Sequence, residues 1–343
     1  MTWMRQEALS APEKVAQQLK KNAANYQILA KAIRQQPPSF VSTIARGSSD
    51  HAATYAKYLF ETYCQWPTLS IAPSVFTAYQ TQWSEYAGLV WGISQSGAST
   101  DLVHSMQQLN HDQTIGVALV NQAGAPLSQA SDFTIDMAAG VENAVAATKS
   151  YICTLSAIAH FVAVYTQDKS LLEALEHLPE ALATATKQDW HQMVECFQKA
   201  RGGYMIGRGY GYPVAQEAAL KMKEVAGVQA EPFSSAEVQH GPFELLSNDF
   251  PVCLFAQQDA TLNGVQTMMD KMTALKTPVF VALPKGKGQV NGGIELPVGP
   301  SLHPVLDPIL NIQAFYMAAE QIAAAKGLDP DQPKHLQKVT KTV

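Results

Sequence analysis

The sequence has no C-x-x-C pair, no cysteine beside spaced histidines, no dense basic block and no apolar run long enough to cross a bilayer. Cys64, Cys153, Cys196 and Cys253 are scattered, which argues against a disulfide framework or a zinc site and for buried thiols in a reducing compartment. A net charge of −5 and a pI near 6.0 leave no electrostatic footprint for a phosphate backbone, so no nucleic-acid partner is expected. Residues 1–6 show no apolar core of a signal peptide. The most apolar long run, 150–165, is short for a membrane span, contains His160 and follows Lys149. It reads as a buried helix in a cytoplasmic protein without a membrane partner. Two nucleotide signatures are also missing: no Walker loop ends in Gly-Lys-Ser/Thr, and no Gly-x-Gly-x-x-Gly follows a strand.

What is present describes a globular chain. Its 343 residues, 47% hydrophobic and 15% charged, suffice for two domains with separate cores. Val15, Leu19, Tyr26, Leu29 and Ile33 are spaced as on one helix face, and Pro37-Pro38 closes that segment. Near-continuous apolar runs at 40–45, 69–72, 89–94 and 114–120 alternate with helical spacing, the pattern of a parallel sheet covered on both faces. The same grammar restarts at 203–209 and continues into a helix over 212–225. Gly47 to Gln95 and Gly209 to Gln257 are both 48 positions apart, and each glutamine follows an apolar run. An internal duplication explains the repeated spacing.

The first copy carries Ser94-Gln95-Ser96-Gly97-Ala98-Ser99 between a strand and a helix. Glycine lets the backbone approach an anion, a helix start presents N–H groups, and serine hydroxyls add neutral donors, so the stretch suits a phosphate. The same serines also suit plain helix capping. In the second copy the stretch reads Ala256-Gln257-Gln258-Asp259, with hydroxyls lost and a carboxylate added, so only the first is expected to hold an anion. A last amphipathic helix is predicted over 307–326, and the polar, proline-punctuated residues beyond it read as a frayed tail or an arm that closes over a pocket.

Several motifs in order resemble the tandem sugar isomerase (SIS) domains of the isomerase half of glucosamine-6-phosphate synthase. They are Gly47-Ser48-Ser49, Ser94-Gln95-Ser96-Gly97-x-Ser99-x-Asp101, Ala147-Thr148-Lys149, Glu217 to Glu224, Gln239-His240-Gly241-Pro242 and the Asp-Gln-Pro tail. The resemblance implies two doubly wound parallel-sheet SIS domains, flavodoxin-like, at 38–168 and 187–328, with a helical arm at 1–37 and a catalytic tail at 329–343. There is no room for the synthase's glutaminase domain, and Thr2 stands where that domain needs a cysteine. The chain therefore resembles stand-alone SIS-type glucosamine-6-phosphate deaminases, with a deglycase or isomerase of a related phosphosugar, or a non-catalytic sugar-phosphate sensor, as alternatives.

The resemblance also implies roles. Ser94, Gln95, Ser96 and Ser99 would hold the sugar phosphate beside Gly47, Ser48 and Ser49, and Val145 and Ala147 would line the sugar. Arg46 stands where the synthase has cysteine, Ser48 and Ser99 where it has threonine, and Ala147 where it has serine. Glu224 would carry a proton between C2 and C1, and His240 of a neighbouring subunit would open the ring. Lys338 would be the tail lysine, with Lys341 three residues on as its rival. Glu217 and Lys221, an i, i+4 pair, would brace the helix. No metal or organic cofactor is implied, and a homodimer with shared sites is.

Overall fold

The computed structural model describes residues 1–83, 86–122 and 124–336. Strands β1 (Val41–Ile44), β2 (Thr68–Ser70), β3 (Gly88–Ser94), β4 (Thr114–Val120) and β5 (Phe133–Asp136) pair in parallel in the order β2-β1-β3-β4-β5. Strands β6 (Gly202–Gly207), β7 (Gln229–Ser234), β8 (Val252–Phe255), β9 (Val279–Ala282) and β10 (Ile294–Leu296) pair in parallel in the order β7-β6-β8-β9-β10. The second order is the first with each number raised by five. The duplication read from two spacings is thus a duplication of topology, and each sheet is doubly wound.

The helices, in chain order, are α1 (Trp3–Gln35), α2 (Ser48–Leu59), α3 (Ser74–Thr77), α4 (Thr100–Leu109), α5 (Pro126–Gln129), α6 (Lys149–Thr166), α7 (Lys169–Ala185), α8 (His191–Phe197), α9 (Tyr212–Ala226), α10 (Leu262–Ala274) and α11 (Asp307–Ala325). Strands β1, β3 and β4 are buried almost throughout, as strands covered on both faces must be; β3 and β4 are mostly apolar, while β1 buries Ser42 and Thr43 between Val41 and Ile44. The edge strands β5, β7 and β10 mix exposed and buried positions, and the apolar runs of the sequence do not announce them.

Each sheet has its own core. On the first, Leu102, Met106 and Leu109 of α4 meet Ile44, Val90, Ala118 and Val120. On its other face Trp91 packs against Phe60 and Phe161, with ring centroids 5.3 and 5.0 Å apart, which places α6 as the buried helix the sequence suggested. On the second sheet, Val265, Met268, Met269 and Met272 of α10 repeat the role of α4 against Ile206, Leu254 and Val281. Among the described residues no helix is long and apolar enough to cross a membrane.

Two compact units divide the chain, one around each sheet. Of the described residues, the first comprises 13–141 and 153–176, and the second 1–12, 142–152 and 177–336. These differ from the contiguous blocks 38–168 and 187–328, because residues 142–152 belong with the second sheet and α1 is divided at Pro12. Composition cannot show that exchange, which depends on packing. In the second unit the start of the tail is also better anchored than its polarity suggests. The carboxylate of Asp331 accepts the N–H groups of Trp3 and Met4 at 2.7 and 2.8 Å, satisfying two donors that the start of α1 leaves open.

Candidate functional site

In the first unit, the adjacent parallel strands β1 and β3 are the point where strand order reverses, and ligands of such sheets bind at that crevice. The register pairs Ile44 with Gly92, so Arg46 and Ser94 leave the sheet at the same level. Gly47 has φ +54°, which turns the chain sharply and sets Ser48 and Ser49 in the first turn of α2. After β3, Gly97 has φ +61°, and a Cβ there would lie 2.5 Å from that of Ala125. Only glycine fits this turn. Its N–H donates to Ser94 Oγ at 3.1 Å, and Ala98 N–H donates to Ser96 Oγ at 3.3 Å, so both hydroxyls keep their own protons for a ligand.

Ser99 separates the two readings of the serines. It occupies the N-cap of α4, yet its side chain makes no capping hydrogen bond. A capping serine would spend its hydroxyl on the helix. Beyond it, Asp101, 3% exposed, accepts Arg46 Nε at 2.9 Å, while half of the Arg46 side chain stays exposed.

The matching loop of the second unit is filled by the chain itself. Asp259 accepts the N–H and hydroxyl of Thr261 at 2.8 and 2.5 Å and Gln257 Nε2 at 3.0 Å. The Gln258 N–H donates to buried Asp307 at 2.8 Å, and its side chain reaches Pro284 and Gly288. Burial pushes the Asp307 carboxyl up to about 7, against the hydrogen bond from Gln258.

Helix α9 of the second unit bears a buried ion triad. Lys221, 1% exposed, lies 3.3 Å from Glu217 Oε1 and 2.5 Å from Glu224 Oε2. Glu217 is fully buried and accepts the Tyr316 hydroxyl at 3.0 Å, whereas the Glu224 side chain remains 21% exposed. Burial alone would lower the Lys221 ammonium, but the two carboxylates reverse this and hold it above its ordinary value. Spacings of three and four residues put all three groups on one helix face. The result is a carboxylate with one oxygen anchored and a path to solvent.

The SIS domain model matches residues 41–164 and 197–289. This chain belongs to the SIS family. Glutamine–fructose-6-phosphate aminotransferase [isomerizing] of Aquifex aeolicus is 31% identical over 305 residues, covering 87% of this chain and 51% of the relative. The chain thus spans about half the length of the curated relatives it matches. A structure provisionally assigned as a phosphosugar isomerase, from Silicibacter pomeroyi DSS-3, is 37% identical with a TM-score of 0.90, covering 96% of this chain and all of that one, 100%. Glucosamine-6-phosphate deaminase of Thermotoga maritima, at 17% identity and a TM-score of 0.77 over 99% of this chain and 100% of that one, shares the fold.

Of the residues the sequence singles out in this SIS chain, Gly47, Ser48, Ser49, Ser94, Gln95, Ser96 and Ser99 all fall in the first unit, at the ends of β1 and β3. Val145, Ala147, Glu224 and His240 fall in the second. Val145 and Ala147 are half-buried in a loop held by two carboxylates: Glu7 accepts the N–H groups of Asn143 and Ala144, and Glu142 accepts those of Thr148 and Ser150 and the Ser150 hydroxyl. His240 is exposed at the end of the short turn Glu237–Gln239. Lys338 lies outside the described residues, as does Lys341. Sequence reasoning missed Glu7, Glu142 and Tyr316, whose contacts reach far along the chain and leave no local pattern. Lys221 it read as a brace to Glu217, although the i, i+3 spacing to Glu224 was there to see.

Proposed function

We propose that this SIS protein converts glucosamine 6-phosphate and water to fructose 6-phosphate and ammonia. The sugar phosphate is held by Ser94, Gln95, Ser96 and Ser99 with Gly47, Ser48 and Ser49, and Val145 and Ala147 line the sugar. His240 of a partner subunit moves the proton that opens the ring, exposing the C1 aldehyde. Glu224 takes the C2 proton while O1 gains one, giving an enolamine, and returns a proton to C1. Water then adds to the C2 imine and ammonia departs, and Lys338 of the tail polarises the sugar. The observation that carries this reading is Glu224 anchored through one oxygen by a buried ammonium in a chain whose other unit keeps a serine cup with an uncommitted Ser99 hydroxyl. The relative's name pairs fructose 6-phosphate with amino transfer, and the proposed reaction runs carbon–nitrogen chemistry of that kind toward cleavage.

The deciding experiment couples detection of ammonia to detection of fructose 6-phosphate across a panel of amino-sugar and fructosamine phosphates. Equimolar release of both from glucosamine 6-phosphate supports the reading. Turnover confined to a fructosamine phosphate, or isomerisation without ammonia, overturns it. Shared sites are tested by mixing Glu224→Gln with His240→Asn chains: hybrid dimers should regain part of the activity that each variant lacks.

A further inference from the structure

We propose that Arg46 is the cationic arm of the serine cup, supplying the charge by which the first unit selects a dianionic phosphate. The proposal rests on the phosphosugar reading of this site. The serines and glycines of the cup offer neutral donors only, hydroxyls and backbone N–H groups. Arg46 leaves β1 level with Ser94 at the switch point, and its Nε bonds Asp101 in the first turn of α4, just past Ser99. The bond therefore draws the guanidinium from the end of β1 toward the helix that follows the cup. Asp101 is buried and fixes one of the five guanidinium N–H groups, while the exposed half of the side chain remains available for a bidentate contact with phosphate oxygens. The arginine is thus held by a buried carboxylate before a ligand arrives.

The second unit supplies the contrast. Arg208 precedes Gly209, φ +55°, as Arg46 precedes Gly47, φ +54°. There the guanidinium donates to Ser234 Oγ at 3.0 Å, at the end of β7, the neighbour of β6 away from the switch point. Arg208 also lines a cavity with Ser235 and Thr261, so the copies differ in what holds the arginine: a serine at the end of β7 in the second, a buried carboxylate on the helix after the loop in the first.

Isothermal titration of the full chain with fructose 6-phosphate and with inorganic phosphate, at two ionic strengths, tests this. Arg46→Met should weaken both ligands about tenfold or more and flatten the salt dependence, in keeping with the loss of a charge-assisted hydrogen bond. Arg46→Lys keeps the charge but loses the fork, and should bind with an affinity between the two. The paired Ser96→Ala, Ser99→Ala variant separates the possible failures. If the serine variant weakens binding and both Arg46 variants bind as wild type, Arg46 is no part of the cup. If the serine variant also binds as wild type, the phosphate cup itself is wrong and the proposal fails with it. Should Arg46→Met not fold, Arg46→Lys decides alone, and wild-type affinity with wild-type salt dependence overturns the proposal.

Discussion

At the same point of the two sheets, β3 runs into Ser94-Gln95-Ser96-Gly97 and β8 into Ala256-Gln257-Gln258-Asp259. The first loop keeps hydroxyl protons for a ligand, and the second satisfies its donors with Asp259 and Asp307. The preceding helices differ in the opposite sense. Carrying the repeat spacing forward, Glu217, Lys221 and Glu224 of α9 correspond to Tyr55, Leu59 and Thr62, so the ion triad has no charged counterpart in the first unit. One copy has serine hydroxyls at this loop and the other a partly exposed carboxylate held by a buried lysine. Under the proposed function, the duplicated fold divides the work, one copy holding the ligand and the other supplying the chemistry.

The sharpest way to break this contrast is Glu224→Gln. It keeps shape and removes the base, so kcat should fall about 10²–10⁴-fold while affinity for fructose 6-phosphate stays near wild type. Exchange of the C2 proton in deuterated water should vanish with it. Exchange at the wild-type rate would put the base elsewhere. Next in size, Lys221→Met leaves Glu217 and Glu224 without their buried cation, and should destabilise the second unit by about 3–5 kcal/mol in chemical denaturation. A loss below about 1 kcal/mol would mean the triad is solvated and does not anchor Glu224.

Ser96→Ala and Ser99→Ala should each cost about 1.5–3 kcal/mol of phosphosugar binding, seen in KM with kcat little changed. Substituting Thr261, the counterpart of Ser99 in the second unit, should leave KM alone. Equal effects in both loops would erase the asymmetry.

A last test sharpens the comparison through pH. Burial holds His160 of the first unit down at about 4, so below the ordinary histidine value the unfolded chain binds the extra proton. The stability it contributes is full above about pH 6.5 and is lost as pH falls toward 4, by up to about 1.4 kcal/mol per pH unit. Asp307 of the second unit, raised to about 7, works in the other direction: its contribution is full below about pH 3.8 and is lost as pH rises toward 7. Hydrogen exchange resolved by segment and corrected for intrinsic rates, from pH 6.5 to 4.5, should show protection falling in the first unit and rising in the second. Parallel changes would count against both assignments, and His160→Phe should abolish the first trend.

The repeat and the central strands were legible because buried parallel strands such as β4 are written as apolar runs, and because Gly47 and Gly209 hold the same left-handed turn in both copies. Strands β5, β7 and β10 were not: these edge strands bury only part of their surface and, unlike β2 with its run at 69–72, have no apolar run beside them. The serines were visible as a cup or a cap, and the missing capping bond of Ser99 is a feature only the folded chain displays. Residues 142–150 looked like part of the first domain because they follow it in sequence, and the buried carboxylates of Glu7 and Glu142, which fix that loop, are invisible without tertiary contacts. Gln257 was read as the end of a strand. It lies two residues beyond β8, with its amide hooked onto the Arg208 carbonyl at 2.8 Å, so the spacing was right for a reason the apolar run does not contain.

Asp259 can also be viewed as a ligand that the chain synthesised into itself. A tethered carboxylate acts at an effective concentration that no metabolite pool can dilute, so the second loop carries its own occupant. The proposed cup of the first loop would be tied to mass action instead: an anion bound there would add stability with the logarithm of its concentration, so the thermal resistance of that unit should rise with supply.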